Sequence, residues 1–387
     1  MKTKLNKVLW LVISLLALNA CKKSEDIIVT IPEQNKVAFI SDNTGIIYAA
    51  NALTGTSIWT YNTNGGSVYT SLAVNKDVAV FTDQQMETIT CINVQNGSVK
   101  WTNTLTYTSH RCTPIIVNDK VYVASYDNTL NSYVLLGLNL SDGSKSMAVP
   151  LYSSVNGLNY SNGLLIANTC GGHLYGIELS GNVKWEYLSN SSCYHTNPAI
   201  SNKILYILSS GAKLSAVNIS DGTEVWNSMI SGLTHDANVV YNNALLFVAG
   251  DGNNKLFAFD AANGTLKHTY TLPDNQSVYG YYNAAFIKNG IAYILSQEGT
   301  LFAFNVADET IKWQKQFTIT SDGYDVRTSV AIANDVLFAA AGKNLIALDL
   351  SGNIKWQMAT AGDIYNSPVI LSDKDKVYKA SSNGVVE

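Results

Sequence analysis

Arginine is almost missing from this chain of 387 residues: of its 25 basic residues only Arg111 and Arg327 carry a guanidinium. A surface that follows a phosphate backbone needs many more such groups, so no nucleic-acid partner is expected. Charge of either sign is sparse, at 14% of residues against a typical value of about 25%. No like-charge block occurs, which excludes a charged disordered tail, and no long coiled coil is encoded. No HExxH, CxxC, GxSxG, GxGxxG, Walker A or EF-hand pattern is present, so the common signatures of metal, nucleotide and nucleophilic chemistry are all lacking. No segment sustains an apolar period of 3.6 residues, which argues against helices.

The N-terminus reads as an address. Lys2, Lys4 and Lys7 precede an apolar run of 12 residues, Leu9 to Ala20, too short to span a bilayer as a helix. The ending Leu18-Asn19-Ala20-Cys21 resembles the bacterial lipobox, which implies cleavage before Cys21 and acylation of that residue. Lys22-Lys23-Ser24-Glu25-Asp26 then forms a tether with a reach of about 20 Å, and it resembles the charged signals that send some outer-membrane lipoproteins to the cell surface. The expected organisation is a signal peptide at 1–20, a lipid-anchored tether at 21–26 and a single domain at 27–387.

That domain is repetitive. Seven segments place small apolar residues before a polar turn with Gly and then Trp: they end at Trp59, Trp101, Trp185, Trp226, His268, Trp313 and Trp356. An eighth, ending at Met147, fills the remaining gap, so that the spacings are 42, 46, 38, 41, 42, 45 and 43. Residues alternate in period 2 within each unit. In the second unit strands are expected at Val68 to Val74, Val78 to Phe81, Thr88 to Val94 and Ser98 to Thr102. Four short antiparallel strands repeated at this length describe an all-β, eight-bladed β-propeller. The Gly supplies a positive φ in a tight turn. The six tryptophans, on the outer strands, are expected to pack between blades, as is His268. Glu309 stands where the other units have Gly.

The pattern A-x-(D/N)-x-x-x-G-x-x-x-W resembles the repeats of the PQQ-like (quinoprotein-type) β-propeller superfamily, over about 27 to 387. That superfamily holds quinoprotein dehydrogenases and also non-catalytic propellers such as the lipoprotein subunit of the outer-membrane β-barrel assembly machinery. The dehydrogenases typically carry an adjacent Cys pair beside the quinone; this chain has none and is shorter, so neither enzyme activity nor a cofactor is expected. Closure of the ring is open. The stretch from Ser367 to Ser381 aligns without gaps on Ile27 to Ser41, so one copy closes blade one while the other lies at its edge, or an incomplete ninth blade forms.

In such a fold the loops from outer strand to next inner strand, and from second to third strand, share one face. Counting back from the second strand of each blade places Arg111, His195, His235, Tyr281 and Tyr365 at one register there, with Arg327 one residue off. They read either as a ligand rim, where Arg grips carboxylates and Tyr stacks on sugars or chains, or as polar filler around a wet channel. No spacing among them demands a metal. Cys170 and Cys193 fall in neighbouring loops and are expected to pair; Cys91 and Cys112 lie at strand positions and read as buried thiols or a less secure pair. The expected function is a non-enzymatic, membrane-anchored binding or scaffold lipoprotein of the cell envelope, at the outer membrane, serving protein assembly. The alternatives are a surface glycan-binding lipoprotein and, third, a PQQ-dependent oxidoreductase.

Overall fold

The computed structural model describes residues 35–64, 66–83, 85, 87–106, 112–189, 198–231, 233, 237–279, 284–319, 328–379 and 385–386. The expected signal peptide and tether, with Cys21, lie outside these residues.

The chain forms an eight-bladed β-propeller. Seven blades are four-stranded antiparallel sheets and the eighth is a six-stranded sheet. Blade two runs from inner to outer edge as Ala73–Val74, Val78–Asp83, Thr88–Asn93 and Val99–Thr104. Blades three to eight repeat that order and end on the outer strands Lys145–Leu151, Val183–Leu188, Glu224–Met229, Leu266–Thr271, Ile311–Gln316 and Ile354–Ala359. No helix occurs among the described residues. The second strand of a blade is covered on both faces, as in Val78–Asp83, where all six residues are buried. Few charges can be placed in such strands, which accounts for the low charge content.

The first strand of blade two is shorter than its sequence suggests. Only Ala73–Val74 pairs in the ladder. The carbonyl of Val68 instead accepts bonds from Ser41 Oγ and Asn366 Nδ2, both at 3.1 Å, across the seam where the ring closes.

Each position of the repeat has a mechanical task. The Ala, Cys or Gly at the first position (Ala49, Cys91, Gly137, Gly176, Ala216, Ala258, Ala303, Ala347) pairs directly with the Trp-position residue of the outer strand. It must be small because the indole lies over it: a Cβ on Gly176 would sit 2.2 Å from Trp185. Two residues on, seven blades carry an Asn or Asp that caps the turn, as where Asn93 Oδ1 accepts the Gln95 amide at 2.8 Å and Asp260 Oδ1 the Ala262 amide at 2.8 Å; blade four has Glu178 there. One residue before each Trp position the ladder shifts register in all eight blades. The extra residue is a lysine in five of them: Lys100, Lys184, Lys267, Lys312 and Lys355. A bulge bearing Lys on an outer strand is a device against edge-to-edge sheet association.

The Gly and the Trp join consecutive blades. Trp59 Nε1 donates to the Val94 carbonyl of blade two at 2.8 Å, and its ring covers Gly97. Trp101 does the same to Leu140 and Gly143, and Trp185 to Ile219 and Gly222. Trp226 reaches Ala261 and Gly264, and Trp313 reaches Leu350 and Gly352. Trp356 completes the circle, donating to Ala52 of blade one at 3.1 Å over Gly55. The two departures from the pattern between blades six and seven answer each other. His268 Nδ1 meets Glu309 Oε1 at 2.7 Å, and Tyr270 takes over the lost indole bond by donating to Val306 at 3.0 Å.

Blade one is built from distant parts of the chain. Its outer three strands are Asn35–Ser41, Ile46–Asn51 and Ser57–Asn62, and Val369–Ser372 supplies the inner strand. The duplicated ends are thus resolved without a ninth blade: the later copy's first strand closes the ring. Its second strand, Val377–Lys379, pairs on the free side of Val369–Ser372, and Val385–Val386 pairs beyond it. The seam is fixed by Asp42, whose buried carboxylate accepts bonds from Thr44, Ile46, Tyr48 and the Gly362 amide.

Candidate functional site

Of the six rim residues singled out in the sequence, Tyr365 is described. It stacks on Tyr69 with ring centroids 5.9 Å apart and an interplanar angle of 14°. Arg111, His195, His235, Tyr281 and Arg327 lie outside the described residues. Cys170 is a thiol that accepts hydrogen bonds from Ser154 Oγ at 3.1 Å and Asn156 Nδ2 at 2.8 Å; Cys193 lies outside the described residues. Cys91 and Cys112 are buried thiols and do not pair. Burial pushes their pKa values up to about 11 and about 12.

On the same face, a different set of residues links blades three to five. Tyr152 follows the outer strand of blade three and is 73% exposed. Its ring lies 4.3 Å from that of His173, which in turn lies parallel to Tyr175 at 6.0 Å. Gly171 makes this approach possible, since a Cβ there would sit 2.8 Å from Tyr152. His173 Nδ1 also contacts Glu186 Oε1. His173 is directly opposite Leu188 in the sheet, and Leu188 is 49% exposed. Beside it, Tyr187 hydrogen-bonds Ser215 and Glu224 and receives Lys213 Nζ at 3.3 Å. Lys213 pairs with Met229, which is 68% exposed.

The electrostatics of this surface are closed internally. Lys213 and Glu224 form an ion pair at 2.9 Å. Loss of hydration alone would raise the Glu224 pKa, but bonds from Tyr187, Lys213 and Asn227 outweigh it and hold the carboxylate below its ordinary value. Desolvation likewise opposes the charge on Lys213, and Glu224 and Tyr187 overcome it, so its pKa is raised. Burial pushes Tyr175 up to about 12, so it stays a neutral phenol at physiological pH. The surface offers apolar and aromatic area, from Tyr152 in the bend after the outer strand of blade three and from Leu188 and Met229 at the ends of the next two outer strands, the composition of an interface centre.

The Tyr152 end of this surface had no signal in the repeat register. The Leu188 and Met229 end had one. Three residues after the Trp position the other blades carry Asn62, Thr104, Pro150, Thr271, Gln316 and Ala359, and only blades four and five carry a large apolar side chain. On the opposite face, a polar cleft of about 370 Å³ lies between blades two and three, lined by Asn75, Asp77, Lys100, Asp119 and Asn139. Its Asn75 side chain is committed to a turn, accepting the Asp77 and Val78 amides at 2.9 Å. Among the described residues no group of three or more His, Cys, Asp and Glu side chains is placed to hold a metal ion.

Comparison with known proteins agrees with the fold. The profile of the family described as outer membrane protein assembly factor BamB matches residues 43–146, 134–240 and 231–387. The outer membrane protein assembly factor BamB of Moranella endobia is 21% identical over 262 residues, covering 60% of this chain and 64% of that protein. The chain thus spans somewhat less than two thirds of that relative's length. The crystal structure of BamB from Moraxella catarrhalis superposes with a TM-score of 0.63 at 14% identity, covering 80% of this chain and 94% of that one. The dihydro-heme d1 dehydrogenase NirN superposes with a TM-score of 0.68 at 10% identity, covering 88% of this chain and 77% of that one. At these identities the structural likenesses speak for the fold alone.

Proposed function

Because the chain belongs to the family of outer membrane protein assembly factor BamB, we propose that it is a non-enzymatic propeller of the cell envelope that holds a protein partner during outer-membrane protein assembly. Cys21 provides its lipid anchor, and the short tether keeps the ring close to the membrane. The observation that carries the reading is the surface formed by Tyr152, His173, Leu188 and Met229. Exposed aromatic and apolar groups at the ends of outer strands, rimmed by a satisfied ion pair, suit a protein partner.

The test is a cell in which the native gene is replaced by a Leu188→Asp, Met229→Asp variant. Both side chains are exposed, so the ring is expected to fold and reach normal levels. Levels of outer-membrane β-barrel proteins should fall as they do when the gene is deleted. Normal β-barrel levels in the variant, beside reduced levels in the deletion, would detach the function from this surface. Normal levels in the deletion strain would remove the assembly role itself.

A further inference from the structure

Blade one differs from the other seven at its inner edge. Elsewhere the inner strand ends the sheet, whereas here two more strands continue past it: the order is Ser57–Asn62, Ile46–Asn51, Asn35–Ser41, Val369–Ser372, Val377–Lys379, Val385–Val386. Since Val369–Ser372 occupies the inner position, these additions lie on its channel side. They cross toward other blades. Tyr378 OH reaches Asn334 Oδ1 of blade eight at 3.4 Å.

We propose that the channel edge of Val369–Ser372 is an acceptor site for an extended polypeptide strand, and that the segment containing Val377–Lys379 fills it in cis as a removable plug. The acceptor is suited to this. Val369, Ile370 and Leu371 are buried and apolar, and they already pair with Lys379, Tyr378 and Val377 in antiparallel register. The hold on the plug is short: three residue pairs join it to the acceptor and two join its strands to each other, against five between Asn35–Ser41 and Ile46–Asn51, and its packing is that of Val377 in the core of blades one and two and Tyr378 against blade eight. Its residue opposite Val369 is a lysine, and loss of hydration there lowers the lysine's pKa below the ordinary value. A strand with an apolar residue at that place avoids this cost. The partner that fits is therefore an extended peptide with an unbroken apolar face, docked by main-chain hydrogen bonds.

Lys374 and Lys376, both exposed, allow the plug to be cut from the ring with trypsin in the folded protein. The intact chain is digested under native conditions, the released fragment is removed by gel filtration, and binding of a fluorescent peptide of residues 373–387 is measured before and after. A tethered segment competes at an effective concentration of about 1 mM, so a peptide with a Kd of about 100 μM is expected to bind the trimmed ring roughly tenfold more tightly than the intact chain. The Lys379→Leu peptide should bind more tightly still, and the Tyr378→Pro peptide should not bind, because proline interrupts the ladder. Equal binding before and after trimming overturns the proposal. So does resistance of Lys374 and Lys376 until the whole ring unfolds, or loss of the ring's cooperative melting on trimming, since either makes the segment an integral strand.

Discussion

Replacing Gly97 and Gly163 by alanine, one at a time, separates what the turn glycine does for its own backbone from what it does for the neighbouring blade. Both glycines adopt a left-handed conformation, with φ of 70° and 79°. An alanine at either place costs about 1–2 kcal/mol for that conformation. The surroundings differ. A Cβ on Gly163 meets nothing within 4 Å, whereas one on Gly97 sits 2.8 Å from Cε3 of Trp59 and 2.9 Å from its Cδ2. Trp59 is held on its other side by the core of blades one and two and cannot retreat freely. Overpacking of this kind costs roughly 1–3 kcal/mol. Displacing the indole also strains its 2.8 Å bond to the Val94 carbonyl, and a buried carbonyl left unpaired costs about 1–3 kcal/mol. Gly97→Ala should therefore destabilise by about 2–4 kcal/mol more than Gly163→Ala. Urea unfolding followed by tryptophan fluorescence measures both. Equal losses would show that the glycine serves only its own turn and that the indole-to-turn contact does not couple the blades.

The same interlock predicts coupling at its one ionic junction. His268→Trp alone should destabilise, because the indole meets the Glu309 side chain, whereas His268→Trp with Glu309→Gly should recover at least the loss; additive effects in the double-mutant cycle would contradict the compensation. The buried thiols should be inert: Cys91 and Cys112, pushed up to about 11 and about 12, should resist iodoacetamide in the native protein at pH 8, and rapid labelling of either would refute their burial. Stability should fall on the alkaline side. Cys91, Cys112, Tyr48, Tyr175 and Tyr270 all have raised pKa values in the fold. Between about pH 9 and 12 the unfolded chain therefore holds fewer protons than the folded one, and stability declines as pH rises. The urea midpoint should be flat from pH 6 to 8 and drop above 9; a midpoint unchanged to pH 11 would contradict the shifts.

The blade plan was legible because one repeat states every constraint at once. Ala or Gly under the indole, Asx at the turn, Gly under the next blade's approach and Trp on the outer strand are all local and periodic. The ring closure was harder, since residues 367–381 duplicate the pattern of 27–41 and periodicity cannot say which copy sits inside. The register of Val369–Ser372 decides it, and the channel position of Val377–Lys379 is then forced by sheet order. The short inner strand of blade two was hidden for a related reason: Val68 gives its carbonyl to Ser41 and Asn366, which are remote in sequence. The rim of Arg111, His195, His235, Tyr281, Arg327 and Tyr365 rests on loop register and on the chemistry of Arg and Tyr, and of these six only Tyr365 lies among the described residues. On the surface over blades three to five, Leu188 and Met229 stand out only when their blades are compared with the other six at the same position. His173 opens the third strand of blade four, and its partnership with Tyr152 depends on two blades meeting.

The central claim is that the surface of Tyr152, Leu188 and Met229 holds a protein of the outer-membrane assembly apparatus. A photo-reactive amino acid placed at 152 tests it most directly, with the same group at Leu53 as control, since Leu53 is 49% exposed in the turn between third and outer strands on the opposite face. Irradiation of living cells should join position 152, and not position 53, to a subunit of the β-barrel assembly machinery, identified by mass spectrometry. Equal crosslinking from both positions, or none from 152 with the protein at normal abundance, would contradict the account.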